Sequence, residues 1–152
     1  VAMMQNRRVV DAFKVWEGIN PLNHEQTVAL IPPFLPEYWI SEDNQNLAGK
    51  GEYPLLTGTG VWTRIVFERF VLGVRGELDG LRVDPCLPAT SQWKQCGIDI
   101  DFRGARYQIR LSNPKLIAGG RVRSLTVDGK KSEGNLIAPF KSGTHQIEAL
   151  LE

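Results

Sequence analysis

Near residue 78 the spacing of apolar residues changes from every third or fourth position to every second, which limits the chain to an α+β fold with its helices first. Ahead of the switch, Val9, Ala12, Phe13 and Trp16 fall on one face of a helix that Gly18 can end. A second helical pattern runs over residues 60–72, where Trp62, Ile65, Val66, Phe67, Phe70 and Val71 make it apolar around much of its circumference. Such a helix expects burial on several sides. Two helices cannot supply that, so neighbours are expected from sequence ahead of Val1 or from another chain. Beyond the switch, Ile98, Ile100 and Phe102 alternate with polar residues, "RGA" turns the chain, and Tyr107, Ile109 and Leu111 alternate again, which predicts a hairpin. Val122, Leu125 and Val127 lead into "DGKK", and Ile147, Ala149 and Leu151 share a face at the end. Short strands joined by tight turns predict an antiparallel sandwich with one wet face per sheet.

Between the helices, residues 20–56 hold Pro21, Pro32, Pro33, Pro36 and Pro54 with Gly49 and Gly51, a density of breakers that leaves no room for a long regular element. A connection of that length is usually functional, for instance as the lining of a binding site. Hydrophobic residues make up 42% and charged residues 23% of the chain, so it can fill a core, and the formal net charge of +1 gives no electrostatic reason to expect nucleic acid or an anionic membrane. Arg121, Arg123, Lys130 and Lys131 read as solvated strand and turn residues. No run reaches the roughly 18 apolar residues of a membrane span. The two cysteines, Cys86 and Cys96, lack the spacing and histidine companions of a zinc site; a disulfide between them is open, and two buried thiols in a reducing cytoplasm is the preferred reading. The helical pattern opens at Val1 with no initiator methionine and no capping residue, so the chain reads as cut from something longer.

The stretch "LLTGTGVW" sets small polar residues at the mouth of the second helix. There the first backbone N–H groups have no partner within the helix, and the macrodipole presents partial positive charge. Thr57 and Gly58 thus have the makings of an anion site: glycine admits a ligand close to the backbone, and the threonine hydroxyl adds a donor. Taken alone, the stretch fits a plain N-cap better, with the glycines shaping the turn.

The run "YPLLTGTGVWTRIVFERFVLGVRGELDGLRVDPCLP", followed by "FRGARYQIRLSNP", resembles the C-terminal part of the glycoside phosphorylases of glycoside hydrolase family 94. The resemblance covers most of residues 1–152 in order. It implies the last helices of an (α/α)6 barrel over residues 1–78 and an antiparallel β-sandwich domain over 79–152. It also implies an inverting enzyme, cytoplasmic, that cleaves a β-linked disaccharide or oligosaccharide with inorganic phosphate as co-substrate and releases an α-sugar 1-phosphate, without cofactor or metal. Inverting glycosidases hold two carboxyls apart to admit water; with phosphate as nucleophile one acid suffices, and anion-binding groups take the second role.

By that resemblance Thr57 and Gly58 match the threonine-glycine pair that contacts phosphate, while Thr59 fits a helix cap better. Glu42 in "PEYWISED" would contact hydroxyls of the acceptor sugar, a solvated carboxylate being the competing reading, and Tyr38 and Trp39 can stack on a sugar ring, although aromatics packed beneath a long loop are the commoner case. The family's catalytic aspartate, with the arginine and histidine that complete its phosphate site, has no match among these residues and is expected upstream; His24 reads as a loop histidine. The chain alone is therefore expected to be inactive and to need the upstream remainder of the same enzyme, with a homodimer as one open assembly. Asp79, Asp84 and Cys86 in "LDGLRVDPC", and Arg103 with Gly104, are assigned to structure. A non-catalytic β-sandwich that binds carbohydrate is the competing reading of the whole chain.

Overall fold

The computed structural model describes residues 1–20, 36, 38–52 and 58–152, with Tyr38 and Glu52 given by their backbone. It divides into two compact units, one made of residues 1–10 and 66–152, the other of residues 11–65.

The larger unit carries the period-two sequence. A hairpin of β3 (Val74–Glu77) and β4 (Gly80–Val83) is extended by β9 (Leu136–Ile137) into an antiparallel three-stranded sheet. A second sheet runs in the order β5-β6-β10-β7-β8, from β5 (Gln95–Phe102), β6 (Ala105–Ser112), β7 (Val122–Val127), β8 (Lys130–Lys131) and β10 (Thr144–Leu151). The predicted hairpin is β5–β6, with Ile98 opposite Ile109 and Ile100 opposite Tyr107. Arg103 (φ 50°) and Gly104 (φ 93°) make its turn, both in the left-handed region that matches the twist of two-residue hairpins. Asp128 (φ 50°) and Gly129 (φ 76°) repeat that turn between β7 and β8.

The sheets are not wholly antiparallel as expected. β10 lies between β6 and β7 and runs parallel to β6, with Ile147 beside Ile109 and Ala149 beside Leu111, while it pairs antiparallel with β7. Period-two alternation fixes which face of a strand is buried but not the direction of its neighbour, and the chain between β6 and β10 is long enough for the crossover a parallel pair needs. The register puts Tyr107, Ile109, Leu111, Leu125, Ile147, Ala149 and Leu151 on one buried face. The other face carries Asp99, Arg106, Arg110 and Glu148, where Arg110 Nη1 lies 2.7 Å from Asp99 Oδ1. That pairing holds the Asp99 carboxyl below the usual carboxylate range. Such exposed pairs contribute little to stability.

The N-terminal residues complete this unit. Helix α1 (Ala2–Gln5) stops at Arg7, whose φ of 55° turns the chain before α2 (Val9–Ile19) begins. The single helix expected from Val1 is thus two. Residues 67–71 continue the second helix as a π-helical turn, which the amide of Leu72 closes onto Phe67 O at 2.9 Å. Gly73 follows with φ of 69°, and a side chain there would run into the Asp84 carbonyl, so the crossing of the two segments requires glycine. Their backbones pair through Asp84 N to Gly73 O and Cys86 N to Val71 O, each 2.9 Å. The two sheets meet where the ring of Phe102 passes over Gly76.

The smaller unit holds the body of α2, a short hairpin of β1 (Tyr38–Trp39) and β2 (Gly51–Glu52), and α3 (Thr59–Val66). Helix α2 runs one residue past Gly18, which is helical instead of ending the helix. The hairpin is closed by Ile40 N to Lys50 O and Gly49 N to Ile40 O, each 2.9 Å.

Candidate functional site

Helix α3 begins one residue earlier than its apolar pattern indicates. The amide of Trp62 donates to Gly58 O at 3.0 Å, so the carbonyl of Gly58 accepts the first intrahelical bond and Gly58 is the N-cap. Thr59, read from sequence as the cap, is instead the first helical residue. The polarity of the helix suits an anion at this end, with no acidic residue in the first turn and Arg64 in the last. Gly58 is half-buried, and a methyl group added to it would meet only the indole of Trp62, at 3.5 Å, an ordinary contact. Thr57 lies outside the described residues.

Glycine at Gly58 is accordingly a choice of space and not of backbone strain. A Gly58→Ala chain should fold normally and lose about 0.5–1 kcal/mol for a poorer cap, a drop of about 1–4 °C in melting temperature by calorimetry. A much larger loss would mean that the glycine is there for the fold.

Glu42 belongs to the same compact unit as Gly58 but to a different element, the β1–β2 connection, and it is exposed. The connection is ordered by its own polar side chains: Ser41 Oγ donates to Asp43 Oδ2 at 3.1 Å, and Asn44 Oδ1 accepts the amides of Asn46 and Leu47, each at 3.2 Å. Trp39 is half-buried, and a side chain added at Gly51 would run into Pro36 at 2.7 Å and meet the Trp39 ring at 3.5 Å.

The densest polar cluster lies in the larger unit. The Arg7 guanidinium donates to Asp84 Oδ1 and to three carbonyls, Pro85 O at 2.9 Å, Gly119 O at 3.0 Å and Gly120 O at 3.1 Å. Arg75 approaches the other oxygen of Asp84 at 3.5 Å. Close by, Arg82 grips Glu77 through two parallel bonds of 2.5 and 2.8 Å and reaches Asn135 Oδ1 at 2.9 Å. The hydrogen bond from Arg82 holds the Glu77 carboxyl below its ordinary range. These arrangements satisfy carbonyls and fix chain crossings, which agrees with a structural role for Asp84. Cys86 is buried and Cys96 half-buried, and both are free thiols. Burial pushes the Cys86 thiol up and that of Cys96 up to about 11, so neither is poised as a nucleophile.

No family model matches the chain. Individual proteins do. It is 34% identical over 143 residues to the N,N'-diacetylchitobiose phosphorylase of Vibrio furnissii, which takes in 92% of this chain and 17% of that protein. The enzyme of the same name from Vibrio proteolyticus is 29% identical over 143 residues, with the same coverage. A 3-O-beta-D-glucopyranosyl-beta-D-glucuronide phosphorylase from Paenibacillus borealis is 31% identical over 134 residues, 88% of this chain and 17% of that protein. The chain belongs to the family of these glycoside phosphorylases.

As a member of the glycoside phosphorylase family, the chain spans about 17% of the length of the curated relatives it matches. Among the described residues no helix is long and apolar enough to cross a membrane, and no cluster of three or more histidine, cysteine, aspartate or glutamate residues could hold a metal ion. Sequence reasoning passed over Arg7 and His145. Arg7 is one of two adjacent arginines in a helical pattern, and its left-handed backbone and the four acceptors it reaches are visible only in the folded chain. His145 precedes the apolar residues of β10 and carries no motif, and its pairing with the aspartate of the "DG" turn exists only in the folded chain.

Proposed function

We propose that this chain is a C-terminal part of an inverting, cytoplasmic glycoside phosphorylase of family 94, in which Thr57 and Gly58 help to hold the inorganic phosphate that attacks a β-linked disaccharide or oligosaccharide. The observation that carries the reading is Gly58 at the N-terminus of α3, in a chain whose relatives are disaccharide phosphorylases by name. A helix mouth whose cap carries no side chain lets a tetrahedral dianion approach backbone donors, and the adjacent threonine offers a hydroxyl. In the reaction a phosphate oxygen forms a bond to the anomeric carbon while the glycosidic C–O bond breaks. The leaving oxygen takes its proton from a carboxylic acid supplied by the rest of the enzyme. Attack from the face opposite the leaving group yields an α-sugar 1-phosphate. The anion site holds the nucleophile in line, which raises the rate by positioning.

On this reading residues 1–78 supply the last helices and a loop of an (α/α)6 barrel and end in β3, which pairs with β4 of a β-sandwich over residues 79–152. Support comes from α3, where Val61 and Trp62 are 64% and 65% exposed. On a helix otherwise patterned for burial, these are the residues the remainder of the barrel would cover. Glu42, which is exposed in the β1–β2 connection, would on this reading meet hydroxyls of the acceptor sugar once that remainder is in place.

The test uses the whole enzyme that contains this chain. Incubated with inorganic phosphate and a panel of β-linked disaccharides, it should release an α-sugar 1-phosphate, read as a new phosphorus NMR signal whose anomeric proton shows the α coupling. A sugar that binds with unchanged affinity in the presence and absence of phosphate, with no sugar phosphate formed from any member of the panel, would overturn the reading.

A further inference from the structure

The imidazole of His145 lies between two oxygens that can only accept. Its Nδ1 is 2.7 Å from Asp128 Oδ2, and its Nε2 is 3.0 Å from the Ser142 carbonyl. A neutral imidazole has one N–H and satisfies one of these; the other ring nitrogen would then turn a lone pair toward an oxygen. Only the imidazolium donates to both. Asp128 is fixed as its counter-ion by a second bond, from the Gln146 amide to Oδ1 at 2.8 Å. The ring is stacked on Phe140 with centroids 3.5 Å apart and planes at 13°, an arrangement that also favours a cation.

The segment so held has few other ties. Phe140 donates its amide to the Tyr107 hydroxyl at 2.9 Å, and Gly143 O accepts from the Arg106 amide at 2.9 Å. The carbonyl of Lys141 lies beside Gly104 in the β5–β6 turn. Three elements therefore meet at one ring: the β7–β8 turn through Asp128, the 138–143 segment through Ser142 and Phe140, and β6 through Tyr107, whose ring centroid is 6.1 Å away.

We infer that protonated His145 is a clamp that holds the 138–143 segment against the β5–β6 and β7–β8 turns, and that loss of its proton releases the segment. The facing groups are the Asp128 carboxylate, the Tyr107 phenol and, across the turn, Lys130, which helps to keep Asp128 ionised. The hydrogen bond to Asp128, then that to Ser142 O, raises the His145 pKa above 6.5. The sign follows: the clamp contributes its full stability below 6.5 and loses it as pH rises through the folded-state value.

The test is NMR on the full 152-residue chain, with the second histidine, His24, removed by His24→Gln so that one imidazole remains. At mild acid both ring nitrogens of His145 should carry protons, with a titration midpoint above 6.5. As pH passes that midpoint, exchange of the Phe140 and Arg106 amides, whose bonds tie the segment to β6, should rise about tenfold more than base catalysis explains. His145→Gln should abolish this excess, and Asp128→Asn should bring the midpoint down by about one unit or more. Should His145→Gln fail to fold, the Asp128→Asn titration decides alone. A midpoint at or below 6.5, or excess exchange that persists in His145→Gln, would overturn the inference.

Discussion

An Arg7→Met chain is expected to melt well below the natural one. Arg7 ties α1 to the junction of β4 with the 119–120 turn by four acceptors, three of them backbone carbonyls. Its side chain is 18% exposed and that of Asp84 29%, so water can partly replace what the substitution removes. The full penalty of about 3–5 kcal/mol for stranding one partner of a buried ion pair must therefore be reduced to about 2–4 kcal/mol. For a chain of this size that is a fall of roughly 4–16 °C in the calorimetric midpoint. Arg7→Lys should fall in between, because an ammonium on a single axis cannot reach four acceptors spread around a planar fork. The left-handed backbone at Arg7 is unfavourable by about 1–2 kcal/mol for arginine and methionine alike, so it leaves the difference between the two chains unchanged. An unchanged midpoint in Arg7→Met would show that water serves these carbonyls as well as the guanidinium does.

The strand half of the chain was legible because its alternation is local. Ile98 and Ile100 on one strand and Tyr107 and Ile109 on the next announce both the faces and the register of β5–β6, and the "RGA" and "DG" stretches announce turns that need left-handed residues. The parallel pairing of β6 with β10 was not legible, because it joins residues far apart in sequence and a buried face looks the same whichever way the neighbour runs. The π-helical turn at residues 67–71 escaped for a related reason: its apolar residues fit an α-helical stripe equally well, and what distinguishes it is how the helix must end to bring Gly73 against Asp84. For the site, composition placed glycine and threonine at a helix mouth, and Gly58 is found capping α3. Thr57 falls outside the described residues, so its role rests on the sequence and on the family. The His145 clamp depends on acceptors contributed by three elements, a juxtaposition that only the folded chain creates.

In the whole enzyme, Thr57→Val should weaken the use of phosphate without touching the sugar. Valine keeps the shape of threonine and removes one hydroxyl, so the loss is that of a hydrogen bond to a charged oxygen, about 1–3 kcal/mol. In kcat/KM for phosphate that is a reduction of roughly 5- to 150-fold. Its distribution between constants is informative. A hydroxyl that binds phosphate equally in the ground and transition states would show as a raised KM for phosphate with kcat intact, whereas one that aligns the attacking oxygen would lower kcat. The KM for the sugar should move little in either case. Glu42→Gln supplies the opposite pattern, with the acceptor sugar affected in the reverse, synthetic direction and phosphate dependence unchanged, because the proposal sets the two residues on different substrates. Gly58→Ala completes the set: its cap defect is small in the chain alone, so a fall in phosphate affinity well beyond that defect would reflect the methyl group standing where the dianion must approach. A Thr57→Val enzyme whose phosphate dependence matches the natural one would remove Thr57 from the anion site and leave it as a residue of the turn.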